Sequence, residues 1–179
     1  GGVGSLAGQI FKIAGCKVYG IAGGKEKCEM LINDFGFDGA IDYKSEDLNE
    51  SLGKLCPNGA DIVYDNVGGR ILNDCLLHLA LNARIAICGI ISRHKTDNMN
   101  FGPENYSNLI FKRATMQGFL MLDYVSETAS ARSKMKKWIE EGKLICKEDL
   151  REGFENAPDT LKGLFDGKNK GKQLLKIAD

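Results

Sequence analysis

The sequence predicts an α/β fold, a doubly wound parallel sheet with helices on both faces. Three observations predict it. The hydrophobic period alternates between helical and strand spacing along the first half of the chain. The segments between the periodic runs are short. The runs at 60–65 and 83–91 are almost continuously apolar, as strands buried on both faces are. Such alternation builds strand–helix–strand units with right-handed crossovers, and therefore parallel strands.

Each element has a local signal. "SLAGQIFKIAG" sets Leu6, Ile10 and Ile13 on one helical face with Ala7 and Ala14 beside them, and Gly15 stops the helix. "CKVYGIAG" is a short strand ending in Gly23-Gly24. "KEKCEMLINDFG" is an amphipathic helix closed by Gly36. "GAIDYK" reads as a strand, and "SEDLNESLGKLC" as a helix capped by Ser45 with acids in its first turn. "GADIVYDNVGG" is a buried strand running into a turn, "RILNDCLLHLA" a helix, and "ARIAICGII" the most apolar strand. The polar stretch "SRHKTDNMNFGPENYSN" follows, a loop and a short helix. "ATMQGFLMLDY" is a strand over 114–122, and "SETASARSKMKKWIEEGKL" a long helix with the single tryptophan, Trp138. "APDTLKGLFDGKNKGKQLLKIAD" reads as helix, turn and strand.

Composition excludes several function classes. Lys+Arg and Asp+Glu are both 24, so a neutral chain has no general electrostatic attraction to nucleic acid or an anionic membrane. The basic runs "KMKK" and "GKNKGK" read as solvated surface. No apolar run approaches the roughly 20 residues of a membrane helix, and no secretory signal is read. The six cysteines show no CxxC spacing, and His78 and His94 have no ligand-spaced partner, so no metal site is expected. Reduced thiols point to the cytoplasm.

The chemistry begins at "GGVGSLAGQ". Gly2-x-Gly4 opening a helix lets backbone approach a ligand closely, and the helix N-terminus offers free N–H groups to a phosphate. Gly8 suits close packing of helix on sheet. This is the second half of a dinucleotide fingerprint. In NAD-binding folds an acid about 20 residues further on binds the adenine ribose. Here Gly23 and Gly24 stand in that region, followed by Lys25 and Lys27. Glycine leaves room and lysine supplies charge, which favours the 2′-phosphate of NADP(H).

At "VYDNVGG" and "CGIIS" the pattern becomes specific. The whole chain resembles the C-terminal half of a zinc-independent medium-chain dehydrogenase/reductase, in the NADP-dependent alkenal and prostaglandin reductase branch. The resembling segments are "GGVGS", "GFDGAIDYK", "DNVGG", "CGIIS", "GPENY", "EGKL" and "GKNKGKQLLKI", in that order. The resemblance implies a Rossmann-like cofactor domain over 1–122 and a closing helix and helix–strand segment over 123–179. It also implies that the first Rossmann strand and an N-terminal GroES-like barrel domain lie outside this sequence.

The same resemblance assigns roles. Gly2, Val3, Gly4 and Ser5 would hold the pyrophosphate. Lys27 would meet the 2′-phosphate and Tyr43 would flank the adenosine phosphate. Asn66 would lie beside the cofactor. Cys88, Gly89, Ile90, Ile91 and Ser92 would line the nicotinamide side, with Phe119, Leu120 and Met121 approaching it. Asn169 would hydrogen-bond the cofactor from the far side. His94 stands where the family usually has tyrosine, and it is either the donor to the substrate carbonyl or a plain loop residue. The implied activity is NADPH-dependent reduction of the C=C bond of α,β-unsaturated ketones and aldehydes. A quinone reductase of the same superfamily and a non-catalytic dinucleotide-binding module are the alternatives. The expected partner is a small enone, enal or quinone, and the expected state a monomer or homodimer.

Overall fold

The structure is a computed structural model that describes residues 1–92 and 102–178. In chain order its elements are α1 (Gly2–Ile13), β1 (Tyr19–Ala22), α2 (Lys25–Asn33), β2 (Gly39–Asp42), α3 (Leu48–Leu55), β3 (Ala60–Asp65) and α4 (Gly69–Cys75). Then come β4 (Leu79–Ile87), α5 (Asn108–Lys112), β5 (Thr115–Gly118), α6 (Thr128–Glu140), β6 (Glu148–Glu152), α7 (Ala157–Phe165) and β7 (Lys172–Lys176). Among the described residues every strand pairing is parallel, as the alternating pattern predicts. The chain divides into two compact units, Gly1–Lys44 with Ala129–Asp179, and Ser45–Thr128.

In the first unit β1 pairs with β2, Ala22 opposite Asp42. Its apolar cluster is Leu31, Phe35 and Phe37, with Val18, Ala22, Met30 and Ala40 packed on it. Gly8 lets α1 meet this cluster: a Cβ there would fall 2.0 Å from Cζ of Phe37. The most buried positions of α1 are Ser5, Gly8 and Gln9. The expected face of Leu6, Ile10 and Ile13 is only half-buried. Gln9 explains the difference. Its amide accepts from Ile145 N–H (2.7 Å) and donates to Ile145 C=O (3.0 Å), as a strand neighbour would.

The pair β6–β7 completes this unit. No strand is predicted from the sequence at 148–152, because "EDLRE" carries no apolar alternation. Its register sets Leu150 opposite Leu174, and Glu148 and Glu152 opposite Lys172 and Lys176, so no like charges meet across the parallel ladder.

In the second unit β4 lies between β3 and β5. A register shift separates the Ala60–Leu79 pair from the Ile62–Arg84 pair, and Asn82 takes a left-handed φ of 60° within it. Leu72, Leu76, Leu79, Ala83 and Ile85 form the core, with Val63, Ile87, Leu109 and Ala114 against it. Three boundaries differ from expectation. β4 ends at Ile87 and β5 at Gly118, so the apolar residues beyond lie outside the strands, with Met121 opening a 3-10 turn of helix. The cap of α3 is Asp47, not Ser45: its carboxylate accepts from Glu50 N–H at 2.8 Å. That offset is the usual N-cap to N3 bond, and Ser45 stands too early to make it.

Candidate functional site

Within each unit, predicted residues lie just beyond the C-terminal ends of parallel strands, Gly23 and Tyr43 in one and Asn66, Cys88 and Phe119 in the other, as ligand-binding residues of open α/β sheets do.

In the first unit α1 begins at Gly2 with no side-chain cap and no acid in its first turn. Ser5 is buried and its Oγ donates back to Gly2 C=O at 3.4 Å, while Val3 is exposed. A helix start of this kind suits an anion. Lys172 packs beside it, since a Cβ on Gly2 would fall 3.1 Å from Lys172 Cδ.

The ends of β1 and β2 form the next part. Gly23 follows β1, and a Cβ there would lie 2.9 Å from both Tyr43 Oη and Lys44 Cε. The phenol and the lysine stem therefore close over a bare backbone. Buried Asp42 organises the turn: one carboxylate oxygen accepts from Gly24 N–H (2.7 Å) and Lys44 N–H (3.1 Å). Tyr43 N–H donates to Ala22 C=O. Lys27, in the first turn of α2, donates to Gly167 C=O at 2.5 Å. Burial, and next the Lys44 charge, push the Lys27 ammonium below the usual lysine range. Asn169 is buried in the turn before β7 and donates to Gly171 C=O at 2.7 Å.

In the second unit Asp65 ends β3 and is 5% exposed. Its carboxylate accepts from Val67 N–H (3.1 Å) and Gly68 N–H (2.9 Å). Its carbonyl accepts from Cys88 N–H at 2.7 Å. Asn66 C=O accepts from Ile91 N–H and Val67 C=O from Ser92 N–H, so the two strand tails run on together past the ladder. Gly89 lets the tails run close, because a Cβ there would lie a tight 3.1 Å from Asn66 O. Gly68 and Gly69 have φ of 69° and 57°, and both approach Ser92 Oγ. That hydroxyl is buried without a hydrogen-bond partner among the described residues.

Beside these tails an open concavity of about 490 Å³ is lined by Ile87–Ile90, Gly118–Leu120 and Asp123. Met121 lines a neighbouring one with Phe119 and Tyr124. Tyr64 and Tyr124 rings each lie 6.3 Å from that of Phe119. Burial and then its hydrogen bond to Cys88 push the Tyr64 phenol well up. Burial, helped by Asp65, pushes the Cys75 thiol up to about 12, so it stays protonated.

The structure thus brings Cys88–Ser92, Asn66 and Phe119–Met121 together in one unit. It places Gly2–Ser5, Lys27, Tyr43 and Asn169 at the strand ends and turns of the other. His94 lies outside the described residues. Sequence reasoning missed Asp42, Lys44 and Asp65. An Asp one or two residues before a turn was the available signal, because such carboxylates bond backbone N–H groups ahead of them. Among the described residues no group of three or more His, Cys, Asp or Glu could hold a metal ion, and no helix is long and apolar enough to cross a membrane.

The family described as zinc-binding dehydrogenase matches residues 2–140. The chain is 42% identical to the NADP(+)-dependent 2-alkenal reductase of Nicotiana tabacum, over 99% of this chain and 52% of that protein. It is 41% identical to prostaglandin reductase 1 of Bos taurus, over 98% of this chain and 54% of the relative. The crystal structure of CurA from Vibrio vulnificus with NADPH superposes with a TM-score of 0.92 at 42% identity, covering 99% of this chain and 54% of that one. The chain spans about half the length of the relatives it matches.

Proposed function

Because this chain belongs to the zinc-binding dehydrogenase family, we propose that it is the cofactor-binding part of an NADPH-dependent oxidoreductase. The whole protein reduces the C=C bond of α,β-unsaturated ketones and aldehydes. The observation that carries the cofactor choice is Gly23. No acid stands there to bind a ribose hydroxyl, and Tyr43 and Lys44 converge over it. The likeness to alkenal and prostaglandin reductases supports the substrate class.

The residues present fit such a cofactor: an uncapped helix start, a glycine-floored basic corner and an unpartnered buried hydroxyl at Ser92. When bound, NADPH supplies the hydride. The chain's residues bind and orient. Gly2, Val3, Gly4 and Ser5 hold the pyrophosphate at the start of α1. Lys27 and Tyr43 take the 2′-phosphate, and Asn169 bonds the cofactor from the closing turn. Asn66 and Cys88–Ser92 flank the nicotinamide side. Phe119, Leu120 and Met121 form an apolar wall that keeps water from the reacting face. His94 donates a hydrogen bond to the substrate oxygen as enolate charge develops there. Residues 1–122 hold the cofactor and 123–179 form the closing segment. The protein works in the cytoplasm, in keeping with its six free thiols, as a monomer or homodimer.

The test is loss of reduced-cofactor absorbance when the whole protein meets NADPH and a 2-alkenal, with the saturated aldehyde as product. Turnover of quinones alone would move the reading to a quinone reductase. Tight NADPH binding without turnover of enals, enones or quinones would make it a binding module.

A further inference from the structure

We propose that Lys44 is a second cation of the 2′-phosphate corner, posed by the buried carboxylate of Asp42, and that this pair sets the preference for NADPH over NADH. The inference rests on the cofactor reading above and deepens it.

Several features of the turn after β2 meet at one point. Lys44 Cε and Tyr43 Oη both stand 2.9 Å from where a Gly23 Cβ would be. The end of the Lys44 stem thus lies over the glycine that stands where a ribose-binding acid would. Its path is fixed from below, because Asp42 accepts from Lys44 N–H and also from Gly24 N–H, the residue just before α2. One carboxylate therefore ties the Lys44 backbone to the start of the helix that carries Lys27. The Lys44 charge lies close enough to Lys27 to disfavour, after burial, the Lys27 ammonium.

Lys44 makes no ion pair with any described residue, whereas Lys25 meets Glu29 and Lys170 meets Glu26 in the same region. An exposed lysine beside another lysine, with no acid of its own, is electrostatically unsatisfied until an anion arrives. A phosphate dianion between the two ammonium groups answers both. One Asp42 oxygen is engaged by the two backbone donors, and the residue is 8% exposed. Asp42 is a positioning residue here, and Lys44 a specificity residue that touches the cofactor.

The test measures dissociation constants of the whole protein for NADPH and NADH by isothermal titration. Lys44→Met is expected to weaken NADPH about tenfold or more, the usual loss for a charge-assisted bond to phosphate, and to leave NADH unchanged. Lys27→Met is the control for the underlying reading. Asp42→Ala is expected to lower the NADPH preference as Lys44→Met does, and to add nothing to Lys44→Met in the double variant. Asp42→Asn keeps an acceptor oxygen and is expected to restore the preference, a result general destabilisation would not give. If Lys27→Met abolishes the preference while Lys44→Met leaves it intact, the Lys44 assignment is wrong and the cofactor reading stands. Equal binding of NADPH and NADH by the unaltered protein would overturn both.

Discussion

Replacing Asp65 by alanine probes the turn on which the second unit's site depends. The carboxylate is nearly inaccessible, and it accepts from Val67 N–H and Gly68 N–H at 3.1 and 2.9 Å. Alanine leaves both donors without an acceptor. An unsatisfied buried donor costs about 1–3 kcal/mol. Gly68 is the more enclosed of the two donors, so the sum falls at about 2–4 kcal/mol, a large part of a total stability of about 5–15 kcal/mol. Asp65→Asn retains one acceptor oxygen and should cost less than half as much. Urea unfolding of the whole protein, followed by tryptophan fluorescence and by far-UV circular dichroism, measures both differences. The local consequence is loosening of Asn66–Gly69 and, through the bonds of Asn66 and Val67 to Ile91 and Ser92, of the β4 tail. NADPH affinity should fall even where the protein remains folded. An alanine variant within about 0.5 kcal/mol of the parent would refute the reasoning, since surface substitutions without a partner stay in that range.

Three further outcomes follow from the geometry. Gly8→Ala places a methyl 2.0 Å from Phe37 Cζ; overpacking of about 1–3 kcal/mol should exceed the helix gain of about 1 kcal/mol, and Phe37→Leu should recover stability in thermal melts. Asp47→Ala removes the Glu50 cap of α3 and should cost about 1 kcal/mol by denaturant midpoint, while Ser45→Ala costs almost nothing. Lys27 titrates below an ordinary lysine because burial and Lys44 disfavour its charge. The free protein therefore loses that proton before the usual lysine range, and NADPH, which favours the charged form, must restore it. NADPH affinity should fall as pH rises through the lowered pKa, and Lys27→Met should flatten that limb in titrations from neutral to alkaline pH.

Much of the architecture was legible because periodicity and glycine punctuation agree. Gly15 and Gly36 sit at positive φ beyond α1 and α2, where the sequence stops both helices. The parallel arrangement followed from continuous apolar runs, and β3 and β4 pair as such runs do. The pattern overran where apolar residues serve a surface: Leu120, Met121 and Leu122 look like strand but stand exposed beyond β5. It fell short where a strand has little apolar alternation of its own, as in β6 against β7.

The glycines and Lys27 could be singled out as candidates, because that choice depends on chain order alone. Asp42 and Asp65 were not, because their partners are backbone N–H groups aimed by turns that only the folded strand ends create. Lys44 needed the path of the chain over Gly23, which no spacing rule supplies.

The most direct test of the central claim follows the hydride itself. The whole protein is supplied with NADPH deuterated at the transferring position and a 2-alkenal, and the product is analysed by NMR. The account predicts a saturated aldehyde with deuterium on the β-carbon. Deuterium on the carbonyl carbon of an allylic alcohol, or no substrate-dependent transfer, would contradict it.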